Sequence, residues 1–155
     1  MLLGLRRSKM GFTLIELLVV LALIGAIMAI TPPLIRAALP GVELKAAARR
    51  TVSGLRLARE EAIRTGRDAA LTLNVEERSF RVDGGYRPAK LPDDISVRLE
   101  AAEREMSDDQ TGAIRFFADG SSTGGVIVLA RDGRGYQVGV NWLTGRTRIA
   151  TWEAP

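Results

Sequence analysis

The stretch from Phe12 to Ile30 is 19 residues long and carries one charge, Glu16. As a helix it spans about 28 Å at about 1.5 Å per residue, close to the ~30 Å thickness of a bilayer core. Arg6, Arg7 and Lys9 precede it. A secretory signal peptide shares the basic head, but its apolar region is shorter and ends in a small-x-small cleavage site. Here Thr31-Pro32-Pro33 follows, and helical patterning resumes after Pro40. The run therefore reads as a retained membrane helix. The positive-inside rule favours Arg6, Arg7 and Lys9 in the cytoplasm, although Arg36, Lys45, Arg49 and Arg50 flank the other end. The tight N-terminal cluster and the bulk of the downstream domain favour a cytoplasmic N-terminus.

Glu16 is the residue in this run that needs a reason. A carboxylate costs roughly 2.5–3.5 kcal/mol at the centre of a membrane helix and less near its end. It can reach the interface, or it can find a cationic partner inside an assembly. Lys9-Met10-Gly11-Phe12-Thr13-Leu14-Ile15-Glu16 resembles the class III signal of type IV pilins and type II secretion pseudopilins. The resemblance implies that a membrane prepilin peptidase cuts between Gly11 and Phe12 and that the new amine of Phe12 is N-methylated. It also implies that Glu16 pairs with the N-terminal amine of a neighbouring subunit during fibre assembly. Physical chemistry agrees with the cleavage and with the pairing. Gly11 has no side chain to obstruct a protease subsite, and a buried amine and a buried carboxylate are each costly alone.

The rest of the chain is small. Its 155 residues, 46% hydrophobic, suffice for one modest core. There is no Cys and no His. That excludes thiol and His-activated nucleophiles, Cys/His zinc sites and disulfides. No cofactor or metal is expected. Ser121, Ser122 and Thr123 lack a His to activate them. Asp93, Asp94, Asp108 and Asp109 lack the ligand spacing of a calcium loop.

After Pro32 and Pro33, where a kink is expected, Leu44, Ala48, Val52, Leu55, Ala58 and Ala62 recur at helical spacing. Gly54 marks a place of close packing, and Gly66 is a candidate C-terminal cap. The opposite face is basic. It reads as a solvated surface with Arg56–Glu60 and Glu60–Arg64 pairs; the alternative is a surface that meets an acidic neighbour in a fibre. Beyond Gly66 the pattern alternates. Strands are predicted at 69–75, 79–82, 95–99, 114–117, 126–130, 136–142 and 146–151, with loops at 83–94 and 100–112. Between Asp93 and Asp109 seven acids meet two Arg, a local net of −5.

The segment Phe116-Phe117-Ala118-Asp119-Gly120-Ser121-Ser122-Thr123-Gly124-Gly125, with Val140-Asn141-Trp142-Leu143-Thr144-Gly145-Arg146 downstream, resembles the C-terminal region of the GspH/FimT family of minor pseudopilins. The expected fold is α+β and pilin-like. A long N-terminal, transmembrane helix packs on a C-terminal antiparallel β domain. The expected organisation is a leader at 1–11, a membrane helix at 12–31, its periplasmic continuation at 32–66 and the β domain at 67–155. The resemblance implies a non-catalytic subunit of a periplasmic pseudopilus, placed near its tip. It would be a single-pass protein of the inner membrane with a periplasmic C-terminal domain. Its implied partners are the other minor pseudopilins, the major pseudopilin, the prepilin peptidase, the inner-membrane assembly platform and lipid.

The alternative is a FimT-like minor type IV pilin involved in pilus assembly or DNA uptake, with Arg146 and Arg148 as the DNA contacts. Two arginines supply few phosphate contacts, and the tail Ala150-Thr151-Trp152-Glu153-Ala154-Pro155 is not basic. Nucleic acid is therefore not the expected partner. Without Arg6, Arg7 and Lys9, the 22 basic residues become 19 against 18 acidic, a net of +1. The high sequence pI of about 10.1 thus largely reflects the leader.

Overall fold

A computed structural model describes residues 12–102, 105–108 and 110–155, and for residues 29–40 it describes the backbone alone. The predicted cleavage position at Gly11 lies outside these residues. A single helix, α1 (Leu14–Thr65), is followed by eight strands. These are β1 (Ala69–Asn74), β2 (Ser79–Val82), β3 (Ala89–Lys90), β4 (Ser96–Ala101), β5 (Thr111–Phe116), β6 (Gly125–Arg131), β7 (Arg134–Val140) and β8 (Thr147–Glu153). The chain divides into two compact units, one ending at Leu39 and the other Pro40–Pro155.

The helix begins where the sequence supplies a cap. Thr13 Oγ1 accepts the Glu16 N–H at 3.3 Å, and the Thr13 carbonyl accepts the Leu17 N–H at 3.2 Å. Thr13-Leu14-Ile15-Glu16 is a Thr-x-x-Glu capping sequence, which satisfies an otherwise unpaired donor of the first turn. The helix ends at Gly66, whose φ of +64° turns the chain away.

The backbone through Pro32 and Pro33, where a kink is expected, is assigned to α1 without interruption. A proline removes only its own donor and crowds the turn before it, so a helix can continue past one. The side chains of Pro32 and Pro33 lie outside the described set.

In the second unit the predicted stripe is buried. Leu44, Ala48, Leu55, Ala58 and Ala62 are in the core, joined by Ala47 and Thr51. The hydroxyl of Thr51 donates to the Ala47 carbonyl at 3.1 Å, which lets a polar residue sit fully buried. Val52 is only half-buried.

The strands form two four-stranded antiparallel sheets, ordered β3-β2-β1-β5 and β4-β6-β7-β8. One core joins the helix stripe to Leu71, Leu73 and Phe80 of the first sheet and to Ile127, Leu129 and Val138 of the second. Gly54 shows how close the helix lies: a Cβ there would stand 2.6 Å from Phe80 Cε2 and 3.0 Å from Leu71 Cδ1. β5 lies beside β1, with Leu71 opposite Ile114.

Several expectations are corrected. The loop predicted at 83–94 contains β3, which pairs Ala89 with Phe80. The loop predicted at 100–112 loses both ends, to β4 and β5. Residues such as Ala89, Lys90, Glu100 and Gly112 have little strand preference of their own, and a strand edge is set by its pairing partner more than by its own composition. The β6–β7 turn is the two-residue Asp132-Gly133, with φ of +52° and +75°, so β7 begins at Arg134. Such a turn matches the twist of a hairpin. The expected pairs of Glu60 with Arg56 and Arg64 do not form. Instead Arg64 holds Glu61 at 2.7 Å, and Glu61 is the buried carboxylate of the two.

Candidate assembly surfaces and the turn cluster

Of the N-terminal residues singled out by sequence, Phe12 and Glu16 are described, and both are exposed. Phe12 is 79% exposed and Glu16 lies within the first turn of α1. The exposed apolar side chains continue from Leu14 through Met28. Among the described residues, no helix is long and apolar enough to cross a membrane.

The glycine-rich turns come together in the second unit. Asp119 Oδ1 accepts the Ser121 N–H at 2.9 Å and the Ser121 hydroxyl at 2.6 Å. Those two bonds hold the Asp119 carboxyl below the usual carboxylate range. The Ser122 hydroxyl donates to the Arg115 carbonyl at 2.7 Å and accepts the Gly124 N–H at 3.1 Å. Thr123 Oγ1 accepts the Arg115 N–H at 3.1 Å. Ser121, Ser122 and Thr123 therefore organise a turn. In the second turn, Asn141 Oδ1 accepts the N–H groups of Leu143 and Thr144 at 3.1 and 3.0 Å. The Gly145 N–H donates to the Asn141 carbonyl at 2.8 Å.

The two turns interlock. The Ser122 N–H donates to the Trp142 carbonyl at 2.8 Å. Gly120 and Gly145 have φ of +83° and +60° and lie against each other, so a Cβ on Gly145 would fall onto the Gly120 carbonyl oxygen. A Cβ on Gly124 would stand 3.1 Å from Trp142 Cβ, and one on Gly125 would stand 2.9 Å from the Glu100 carbonyl oxygen. Both positions are tight as well as positive in φ. A residue that sequence reading missed fastens the cluster to the helix. Arg59 Nε donates to the Gly120 carbonyl at 3.0 Å across 61 residues of sequence, a separation that leaves no local pattern to read.

Arg146 and Arg148 are exposed. Asp94 is engaged by Arg131, which also reaches Glu43 at 3.7 Å. Asp108 Oδ1 accepts the Gln110 N–H at 2.7 Å. Asp109 is outside the described residues. Among the described residues no group of three or more acidic, His or Cys side chains is placed to hold a metal. Arg115 bonds Glu105 at 3.2 Å, and this raises its already high pKa.

A long N-terminal helix whose second half packs on antiparallel sheets defines the type IV pilin-like class. The fold matches that of the minor pseudopilin EpsH from the type 2 secretion system of Vibrio cholerae, with TM-score 0.56 and 18% identity over 70% of this chain and 96% of that one. It matches the type IV minor pilin FimU of Pseudomonas aeruginosa with TM-score 0.54 and 14% identity, over 69% of this chain and 92% of that one. At such identities the likeness is one of fold.

Sequence decides the family. Residues 47–145 match the model of the type II transport protein GspH, and residues 6–31 match the prokaryotic N-terminal methylation motif. The type II secretion system protein H of Xanthomonas campestris pv. campestris is 33% identical over 150 residues, 97% of this chain and 88% of that one. The chain belongs to the GspH family of type II secretion minor pseudopilins. It is accordingly a structural, non-catalytic subunit. Membership implies partners in a pseudopilus and processing by a prepilin peptidase, and the motif implies anchoring in the inner membrane.

Proposed function

We propose that this subunit enters a periplasmic pseudopilus near its tip and there supports export of folded proteins through the outer membrane. The observation that carries the reading is the methylation motif at 6–31 joined in one chain to the GspH region at 47–145. In this reading residues 1–11 are the leader, 12–31 the single membrane helix, 32–66 its periplasmic continuation and 67–155 the periplasmic β domain. The N-terminus faces the cytoplasm, and Pro32 and Pro33 kink the helix.

Cleavage after Gly11 leaves an amine on Phe12, one residue before the Thr13 cap. A cation there opposes the positive end of the helix dipole. A carboxylate offsets it, and Glu16 in the first turn supplies one to a neighbouring subunit. Partners in this reading are the other minor pseudopilins, the major pseudopilin and the inner-membrane assembly platform. Mass spectrometry of the membrane-extracted protein tests the processing step. The expected N-terminus is methylated Phe12, and any other overturns it.

A further inference from the structure

The surface beside the Arg59 clamp carries arginines that form no ion pair among the described residues. Arg56 and Arg59 of α1 and Arg146 of the second turn line one hollow of about 370 Å³, with Glu60 at its side. Arg146 also lines a second hollow of about 470 Å³, together with Arg148. Among the described residues, none of these four arginines is in an ion pair, although Arg64, Arg115, Arg131 and Arg134 all are. Arg59 is held in place by the Gly120 carbonyl. The turn that supplies Arg146 also presents Trp142 and Leu143, 64% and 63% exposed.

We infer that this surface receives an acidic segment of a neighbouring protein subunit. The arginines bind its carboxylates, and Trp142 and Leu143 supply the apolar anchor. Guanidinium groups pair with carboxylates in two-point geometry, and Trp with Arg is the pair most enriched where binding energy concentrates. A protein fits better than nucleic acid. Four arginines give at most about four phosphate contacts, and non-specific affinity grows with that number. Glu60 repels phosphate, whereas a protein can offer it a donor. An acidic surface of that kind is present on this chain: residues 93–109 carry seven acids and two Arg, and Asp93, Glu100 and Asp108 are exposed and outside the ion pairs of the described residues. Head-to-tail contacts in a fibre bring unlike faces together. The inference rests on the pseudopilus reading and assigns a chemistry to one of its contacts.

The test uses the full chain in detergent micelles and a fluorescent peptide copying residues 93–109. The peptide should bind at low salt and weaken at least tenfold with the double variant Arg56→Glu/Arg146→Glu. Arg146→Gln should weaken it less, and Arg81→Glu, on β2, should leave it unchanged. Trp142→Ala should weaken it without altering its salt dependence. An oligonucleotide of equal charge that binds more tightly than the peptide overturns the inference in favour of nucleic acid. No effect of the double variant overturns it in favour of a solvated face. In cells, a photo-cross-linker at Thr147 should join an acidic segment of another pseudopilin. If the chain still enters the fibre and that adduct maps elsewhere, the inference fails and the pseudopilus reading stands. If the chain never enters the fibre, the reading itself fails.

Discussion

Gly145 shows how much a single residue carries here. Its φ of +60° alone disfavours a side chain, by about 1–2 kcal/mol. Its hydrogen atoms also lie against the Gly120 carbonyl, so a Cβ must push the two turns apart. Gly145→Ala is expected to destabilise the domain by more than about 2 kcal/mol, read as a lower Tm. Truncating Arg59 leaves the Gly120 carbonyl without its donor, and Arg59→Ala should cost about 1–3 kcal/mol. Asp119 gives a pH dependence. Its folded carboxyl has the lower pKa, so its contribution is complete above the ordinary Asp value of about 3.9 and is lost as pH falls through the folded value. Acidification below about pH 4 should therefore loosen the 117–121 turn, followed by NMR at the Ser121 amide. Ser121→Ala should flatten that response. The glycines and Asp119 could be picked out from sequence as turn chemistry, but their meeting could not. Gly120 and Gly145 lie on different turns, and Arg59 arrives from a helix far away in sequence.

The helix and the strands differ in how far local pattern reaches. From Leu44 to Ala62 the buried stripe follows helical spacing, because the side chains of one helix face are chosen together. Gly54 separates propensity from packing. Alanine is worth about 1 kcal/mol more than glycine in a helix interior. At Gly54, however, the new methyl meets Phe80 and Leu71, so Gly54→Ala should destabilise by about 1–3 kcal/mol. At Gly41, where nothing lies within 4 Å, the same change should stabilise by about 0.5–1 kcal/mol. The pair of Tm values checks both signs. The hairpins β1–β2 and β6–β7 were readable because their strands are neighbours in sequence. The split into two sheets was not, since it depends on β5 joining β1 and β4 joining β6 across long separations. The two-residue β3 was hidden for a related reason: its pairing with β2 defines it, and Ala89-Lys90 has no strand character of its own.

For the whole molecule, the two ends of the chain say most about function, and the middle says most about stability. The N-terminal motif and the turn cluster pointed to the family that the comparisons establish, while the acidic middle carried little of that resemblance. The assembly role proposed for Glu16 can be separated from folding. Its side chain lies on an exposed turn, so Glu16→Ala should leave the Tm of the second unit unchanged and leave cleavage intact. Incorporation into the fibre should be lost, as scored by shearing or cross-linking. The helix seam has a mechanical consequence for such a fibre. Between Ala47 and Ala62 the helix lies against both sheets through fully buried alanines, with Arg59 as a pin near its end. A force along this segment's axis slides the seam and engages every contact at once, whereas a force across it peels them one by one. Resistance to pulling follows the unfolding barrier, so the domain resists a force along this segment better than one across it.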